Sequence, residues 1–326
     1  VTKARITGTG SYLPERILTN AEIATFLDTS DEWITTRTGI RERRIVADNE
    51  VTSDLAVRAA KSAMEMAGVA ANELDQIIVG TITGDYPWPA TACVVQHKLG
   101  AGKAYAYDVS AACSGFVYAL TNGMQAIESG AAKKILVIGA EVLSRAIDWT
   151  DRNTCVLFGD GAGAVILEAT EGSSHIISSH LHSDGAYLEL LYQPGFGAAH
   201  PPSEQVLKDR LVYLRMQGNE VFKVAVRSLS EVALESLEAN GLKPSDLTLF
   251  IPHQANRRIL EASAKRIGLR DDQVFINVDR YGNTSGATIP VALDEAFRQG
   301  RIKEGDLIMF DAFGGGFTWG AILVRW

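Results

Sequence analysis

The chain has 326 residues, 46% hydrophobic and 21% charged, enough for one large domain or two of ordinary size around a substantial core. Its formal charge of −8 argues against a nucleic-acid binder, which carries a basic excess, and admits an acidic partner only through a local basic patch. Cys93, Cys113 and Cys155 form no CxxC pair, so neither a disulfide framework nor a zinc site is expected and a reducing cytosol fits best.

The opening Val1–Ile6 has no basic-then-apolar signal pattern. No apolar run reaches the ~18 residues of a membrane helix. The expectation is a cytoplasmic protein away from the membrane.

The first strong pattern is a helix ending at Gly68, then Glu73-Leu74-Asp75 and an apolar strand over Gln76–Gly80. Tyr105–Val109 reads as a buried strand, followed by Ser110–Gly115 and an apolar-periodic helix from Phe116 to Ser129-Gly130, then a strand at Ile135–Gly139. Cys113 therefore falls at a strand-to-helix junction, among free backbone N–H groups and at the positive end of the helix dipole. Both favour a thiolate and predict a lowered thiol pKa. Small neighbours leave room for a substrate, so the residue is presented as a nucleophile is. A lone cysteine before a helix is nonetheless more often a small buried apolar residue. Cys93, in a helix-like stretch, and Cys155, placed within a strand, read as core.

Gly159-Asp160-Gly161-Ala162-Gly163 looks like a phosphate loop but leads into a strand, whereas a dinucleotide fingerprint leads into a helix; a tight turn is the better reading. A boundary falls near Glu171–Ser174, dividing the chain into halves 1–171 and 172–326. Residues 184–215, with Pro194-Gly195-Phe196-Gly197 and His200-Pro201-Pro202, have no counterpart in the first half and read as an irregular insert over a site.

The second half repeats the first. A helix ends at Gly241, which lies 173 positions after Gly68, and a strand follows at Leu249–Ile251. Val274–Val278 is expected as a strand before Asn283, and Ser285-Gly286 then opens a helix that ends at Gln299-Gly300, before the strand Leu307–Asp311. Gly286 lies 171 positions after Gly115. Each half closes on a glycine-rich turn into an apolar strand, the second through Gly314-Gly315-Gly316. Matched order at a near-constant shift indicates duplication. Strands alternating with amphipathic helices imply largely parallel α/β sheets between helix layers, packed about a pseudo-twofold axis.

Ligands of α/β proteins bind beyond the carboxyl ends of strands. Cys113, His253 and Asn283 all fall there, and the duplication sets Asn283 opposite Cys113 to within a residue. Each alone has a bland reading as structural or turn chemistry; their convergence points to a site. Gly315 backbone, free of side chain, can approach a reacting carbonyl and, with the Cys113 N–H, form an oxyanion hole.

These residues resemble the β-ketoacyl-acyl carrier protein synthase III family of condensing enzymes, within the thiolase superfamily. The likeness spans essentially the whole chain: Asp31-Glu32-Trp33-Ile34, Arg37-Thr38-Gly39-Ile40, Ala111–Phe116, Phe158–Ala164, His253-Gln254-Ala255-Asn256, Gly282–Ser285 and Phe313–Gly320. The resemblance implies a homodimer with a thiolase-like fold, two duplicated halves in a five-layered α-β-α-β-α core. It implies a decarboxylative Claisen condensation of a short acyl-CoA with malonyl-acyl carrier protein (ACP), initiating fatty-acid synthesis through an acyl-Cys113 intermediate, with His253 and Asn283 stabilising the enolate and no metal or redox cofactor. Trp33 and Arg152 match positions that hold the CoA adenine, and Arg37 one near its phosphates. Trp88 matches a bulky residue that the dimer partner places at the end of the acyl pocket, which suits acetyl-CoA. Lys223, Arg257, Arg258, Lys265 and Arg266 are the expected ACP-docking surface, although a solvated basic helix face is the plain alternative.

A ketosynthase or acyltransferase of specialised metabolism with another primer is the alternative within this fold. A thiol hydrolase would need only Cys113, His253 and a water path, and a binding module would have no need of all three residues.

Overall fold

The computed structural model describes residues 2–326. Its first sheet orders its strands as β1 (Lys3–Tyr12), β5 (Asp160–Thr170), β4 (Lys134–Val142), β2 (Gln76–Gly80) and β3 (Tyr105–Val109). β4, β2 and β3 run parallel, while β5 pairs antiparallel with both β1 and β4. The second sheet follows the same plan with one strand fewer, in the order β6 (His175–Ser183), β9 (Thr318–Arg325), β8 (Leu307–Gly314) and β7 (Leu249–Pro252), and only its last pair is parallel. Strands buried on both faces are continuously apolar, as in Ile135–Ile138 and Leu307–Phe310.

Two helices lie between the sheets: α3 (Gly115–Glu128) and α6 (Thr288–Arg298). Phe116, Leu120 and Ile127 of one and Ile289 and Leu293 of the other share a single core with both sheets. Outside the first sheet pack α1 (Thr52–Ala67) and α2 (Thr91–Leu99); outside the second pack α4 (Gly218–Ala239) and α5 (Arg257–Ile267). The result is the five-layered α-β-α-β-α arrangement. The close seating of α3 depends on Gly80, where a Cβ would lie 2.5 Å from the Gly115 carbonyl carbon.

Three local expectations are corrected. Val274–Val278 is not a strand; it keeps one parallel bridge, Phe250 to Val274. The Gln254 side chain replaces the ladder there, accepting from the Asn277 N–H at 2.9 Å and donating to the Phe275 carbonyl at 3.0 Å. Cys155 lies in a turn rather than a strand, with its N–H bonded to the Asp151 carbonyl at 3.0 Å, though it is buried as expected. Cys93 is not core: it sits on the exposed face of α2.

Candidate active site

Cys113 lies in the single turn Ala112–Ser114 that joins β3 to α3. The duplication is visible in the backbone. Ala112 and Ser285, 173 positions apart, take positive φ values of 46° and 50° just before the helices of their halves. The end of β8 closes over the cysteine: a Cβ on Gly314 would lie 2.6 Å from the Cys113 nitrogen. Neither the Cys113 nor the Gly315 N–H bonds a backbone carbonyl among the described residues. Thr318 fastens this junction, its hydroxyl donating to the Ala111 carbonyl at 3.0 Å while its own carbonyl accepts from Ser114 Oγ at 2.9 Å.

His253 leaves β7 with its N–H donated to the Asp311 carbonyl at 2.7 Å, and Nδ1 lies 2.7 Å from Thr288 Oγ1. Burial alone pushes the imidazole down to about 3, so it is neutral at physiological pH. The Asp311 carboxyl, fully buried and without a hydrogen-bond partner among the described residues, is raised well above its ordinary value by desolvation. Asn283 is held by its N–H to the Leu157 carbonyl at 2.8 Å, and its Oδ1 accepts from the Ser285 N–H at 2.8 Å. With Oδ1 engaged, its Nδ2 group has no acceptor among the described residues and remains available as a donor.

Cys113, His253, Asn283, Ser285 and Gly315 line one cavity of about 1120 Å³. The insert forms part of its wall through Leu188, Leu191, Tyr192 and Leu214; within residues 184–215 the chain forms short helices and one strand of a small two-stranded ladder. At its outer end stand Trp33, Arg37 and Arg258. The guanidinium carbons of Arg37 and Arg152 sit 4.5 Å and 5.2 Å from the Trp33 ring centroid, and Arg152 also donates to the Asp28 carbonyl at 2.8 Å.

One electrostatic expectation reverses. Burial pushes the Cys113 thiol up to about 12, with the Ser285 hydroxyl pulling it back and the Glu141 charge adding to the rise. Burial opposes the ionisation that a helix start favours, so the thiol is raised rather than lowered. Trp88 is 84% exposed and does not line the cavity of its own chain. Of the basic residues, Lys223 pairs with Glu220 at 2.8 Å, Arg257 with Glu261 at 2.8 Å and Arg266 with Glu231 at 3.5 Å. Arg258 instead lies over Phe222, 5.6 Å from its ring centroid, and Lys265 makes no ion pair among the described residues.

Ser285, Thr288 and Glu141 escaped the sequence reading. Glu141 was the detectable one, a carboxylate inside the apolar run Ile135–Val142, where an unpaired charge is rare. Among the described residues no group of three or more His, Cys, Asp or Glu is placed to hold a metal, and no helix is long and apolar enough to cross a membrane.

A cavity of this size, lined by a buried thiol, a neutral imidazole and an amide donor and reaching exposed Arg37 and Arg258, suits a thioester delivered on an extended arm. That is the layout of a thiolase-fold acyltransferase. Two models of 3-oxoacyl-[ACP] synthase III, one of them its C-terminal part, match residues 107–185 and 237–326. The chain is 56% identical to a β-ketoacyl-[acyl-carrier-protein] synthase III of Xanthomonas campestris over 99% of this chain and 98% of that one. Among solved structures, 3-oxoacyl-[acyl-carrier-protein] synthase III of Aquifex aeolicus is 50% identical with a TM-score of 0.93, covering 99% of this chain and all of that one. The corresponding synthase III of Thermus thermophilus is 45% identical with a TM-score of 0.92, covering 99% of both. The chain belongs to the 3-oxoacyl-[acyl-carrier-protein] synthase III family.

Proposed function

We propose that this enzyme condenses a short acyl-CoA, acetyl-CoA foremost, with malonyl-ACP to give 3-oxoacyl-ACP and CO₂. The reading rests above all on the convergence of Cys113, His253 and Asn283 on one cavity floor. Cys113 attacks the thioester and carries the acyl group, in a ping-pong sequence. The Cys113 and Gly315 N–H groups receive the tetrahedral oxyanion, each such donor being worth about 3–4 kcal/mol.

Malonyl-ACP then loses CO₂, and the enolate oxygen needs donors. Asn283 offers Nδ2. Thr288 Oγ1 lies 2.7 Å from His253 Nδ1 and 3.0 Å from the Ser285 carbonyl, and its one proton serves a single acceptor; we assign it to Nδ1, the shorter contact, which leaves the imidazole proton on Nε2 for the enolate. A histidine neutral down to about pH 3 donates without giving up its proton. The carbanion then attacks the acyl-Cys113 carbonyl.

In the same reading Trp33, Arg37 and Arg152 hold CoA, with indole and guanidinium planes suited to a purine. Lys223, Arg257, Arg258, Lys265 and Arg266 meet the acidic carrier protein, an encounter that salt weakens. The enzyme works as a cytoplasmic homodimer, each Trp88 reaching the partner's acyl pocket, and its chemistry calls for no metal or redox cofactor.

The test is turnover of purified enzyme with labelled acetyl-CoA and malonyl-ACP, following CO₂ and acetoacetyl-ACP. Cys113→Ala should abolish condensation while still decarboxylating malonyl-ACP. Condensation by that variant would refute the nucleophile assignment.

A further inference from the structure

Two buried glutamines bracket β7, and each closes its side-chain amide on three backbone groups. Near the amino end of the strand, Gln273 is 1% exposed. Its Nε2 donates to the Pro244 carbonyl at 2.9 Å and the Leu247 carbonyl at 2.6 Å, and its Oε1 accepts from the Arg270 N–H at 3.0 Å. At the carboxyl end, Gln254 is also 1% exposed. Its Nε2 donates to the Pro252 carbonyl at 2.8 Å and the Phe275 carbonyl at 3.0 Å, and its Oε1 accepts from the Asn277 N–H at 2.9 Å. Both amides satisfy backbone groups that no strand ladder serves.

The two differ in what stands beside them. Gln273 and its partners Pro244, Leu247 and Arg270 do not line the cavity, whereas Gln254 follows His253, which does. Among the described residues the His253 ring makes one hydrogen bond, Nδ1 with Thr288 Oγ1 at 2.7 Å. The rest of its placement comes from the main chain. The peptide group joining Pro252 to His253 is held on both sides: its N–H donates to the Asp311 carbonyl at 2.7 Å, and its carbonyl accepts from Gln254 Nε2.

The far side of the Gln254 amide leads back to the same ring. Asn277, held by Gln254 Oε1, donates through its own Nδ2 to Glu295 Oε2 at 2.9 Å. Glu295 lies on α6, the helix that begins with Thr288. The path from the His253 backbone through Gln254, Asn277 and Glu295 into α6, and from Thr288 to His253 Nδ1, is therefore a closed circuit. It fixes the imidazole and the hydroxyl that sets its tautomer in one frame.

We propose that Gln254 is a positioning residue for malonyl decarboxylation, holding His253 so that Nε2 meets the enolate oxygen. This role rests on His253 serving the enolate, as assigned above. Acylation depends on other groups. The Cys113 sulfur and the Cys113 and Gly315 N–H groups sit on the junction of β3 with α3 and on the turn after β8, and Gln254 bonds none of them.

Gln254→Met keeps the length of the side chain and removes all three bonds. Gln273→Met removes the same number at the other end of the strand and serves as the matched control. Both variants leave backbone groups unpaired, so both thermal midpoints should fall. Rates are compared below both midpoints. Release of labelled CO₂ from malonyl-ACP should fall by about 10- to 100-fold in Gln254→Met, the scale of a misplacement near 1 Å, while Cys113 acylation by acetyl-CoA changes by less than about threefold. In Gln273→Met both rates should stay within about threefold of wild type.

A second readout needs no substrate. With ring-¹³C histidine in place of the six histidines, His253→Gln identifies the His253 signal. That signal should move in Gln254→Met and stay in place in Gln273→Met.

Equal losses of decarboxylation in the two glutamine variants, acylation slowed as much as decarboxylation in Gln254→Met, or a His253 signal unmoved in that variant overturns the positioning role. Wild-type enzyme that releases no CO₂ overturns the enolate assignment and this role with it. If Gln254→Met fails to fold, Gln254→Glu decides by the same split, because it keeps an acceptor for the Asn277 N–H and loses the donors to both carbonyls.

Discussion

Replacing Thr288 with valine removes the partner of His253 Nδ1 with little change of volume. Thr288 and His253 are 3% and 2% exposed, and their contact is 2.7 Å, so water cannot readily take the place of the hydroxyl. Leaving Nδ1 unpaired costs about 1–3 kcal/mol and frees the ring to change tautomer. Placed on the decarboxylation barrier, that energy is a loss of roughly 5- to 150-fold. The assay is release of labelled CO₂ from malonyl-ACP, set against the rate of Cys113 acylation by acetyl-CoA. Decarboxylation should fall by that factor, acylation should change by less than about threefold, on the order of 0.6 kcal/mol, and Thr288→Ser should restore the loss. Equal losses in both half-reactions, or none in decarboxylation, would refute the tautomer argument.

Gly80→Ala would set a methyl 2.5 Å from the Gly115 carbonyl carbon and 2.8 Å from the Phe116 nitrogen. Overpacking of this kind costs about 1–3 kcal/mol and should lower the thermal unfolding midpoint together with Cys113 alkylation; a variant as stable as wild type would count against the packing. His253 contributes to stability fully above its unfolded value near 6.5 and loses that contribution as pH falls towards about 3, since the unfolded chain takes the proton first. Glu141, raised to about 7, acts in the opposite sense: its contribution is complete below its ordinary carboxyl value and is lost as pH rises through 7. In urea titrations His253→Gln should therefore remove up to about 1.4 kcal/mol per pH unit from the acid limb, and an unchanged slope would contradict a neutral His253. The bulk of Trp88 predicts a preference for short primers, so faster turnover with dodecanoyl-CoA than with acetyl-CoA would remove its gating role.

The architecture was legible because it is written twice. C′ glycines at Gly68 and Gly241, and apolar runs such as Ile135–Ile138 and Leu307–Phe310, mark the same units in each half. Strand-end logic then drew out Cys113, His253 and Asn283. Elements shaped by side chains from elsewhere did not show. Val274–Val278 has strand composition, but the Gln254 amide occupies its ladder positions. Cys93 lies in a helix as expected, yet on the face turned away from the core. The Cys113 thiol was misjudged because a helix start is a local feature, whereas its burial comes from both halves closing over it. Ser285 and Thr288 were hidden for a similar reason. Nothing in Asn-Thr-Ser-Gly-Ala-Thr reveals that one hydroxyl meets Glu141 and another His253.

The most direct test is to mix the enzyme with acetyl-CoA alone, quench in acid, and locate the added acetyl group by peptide mass spectrometry. The account predicts one acetyl group, on the peptide containing Cys113, that disappears when malonyl-ACP is added and reappears in acetoacetyl-ACP. An acetyl group on another residue, or acetoacetyl-ACP formed with Cys113 never labelled, would contradict it.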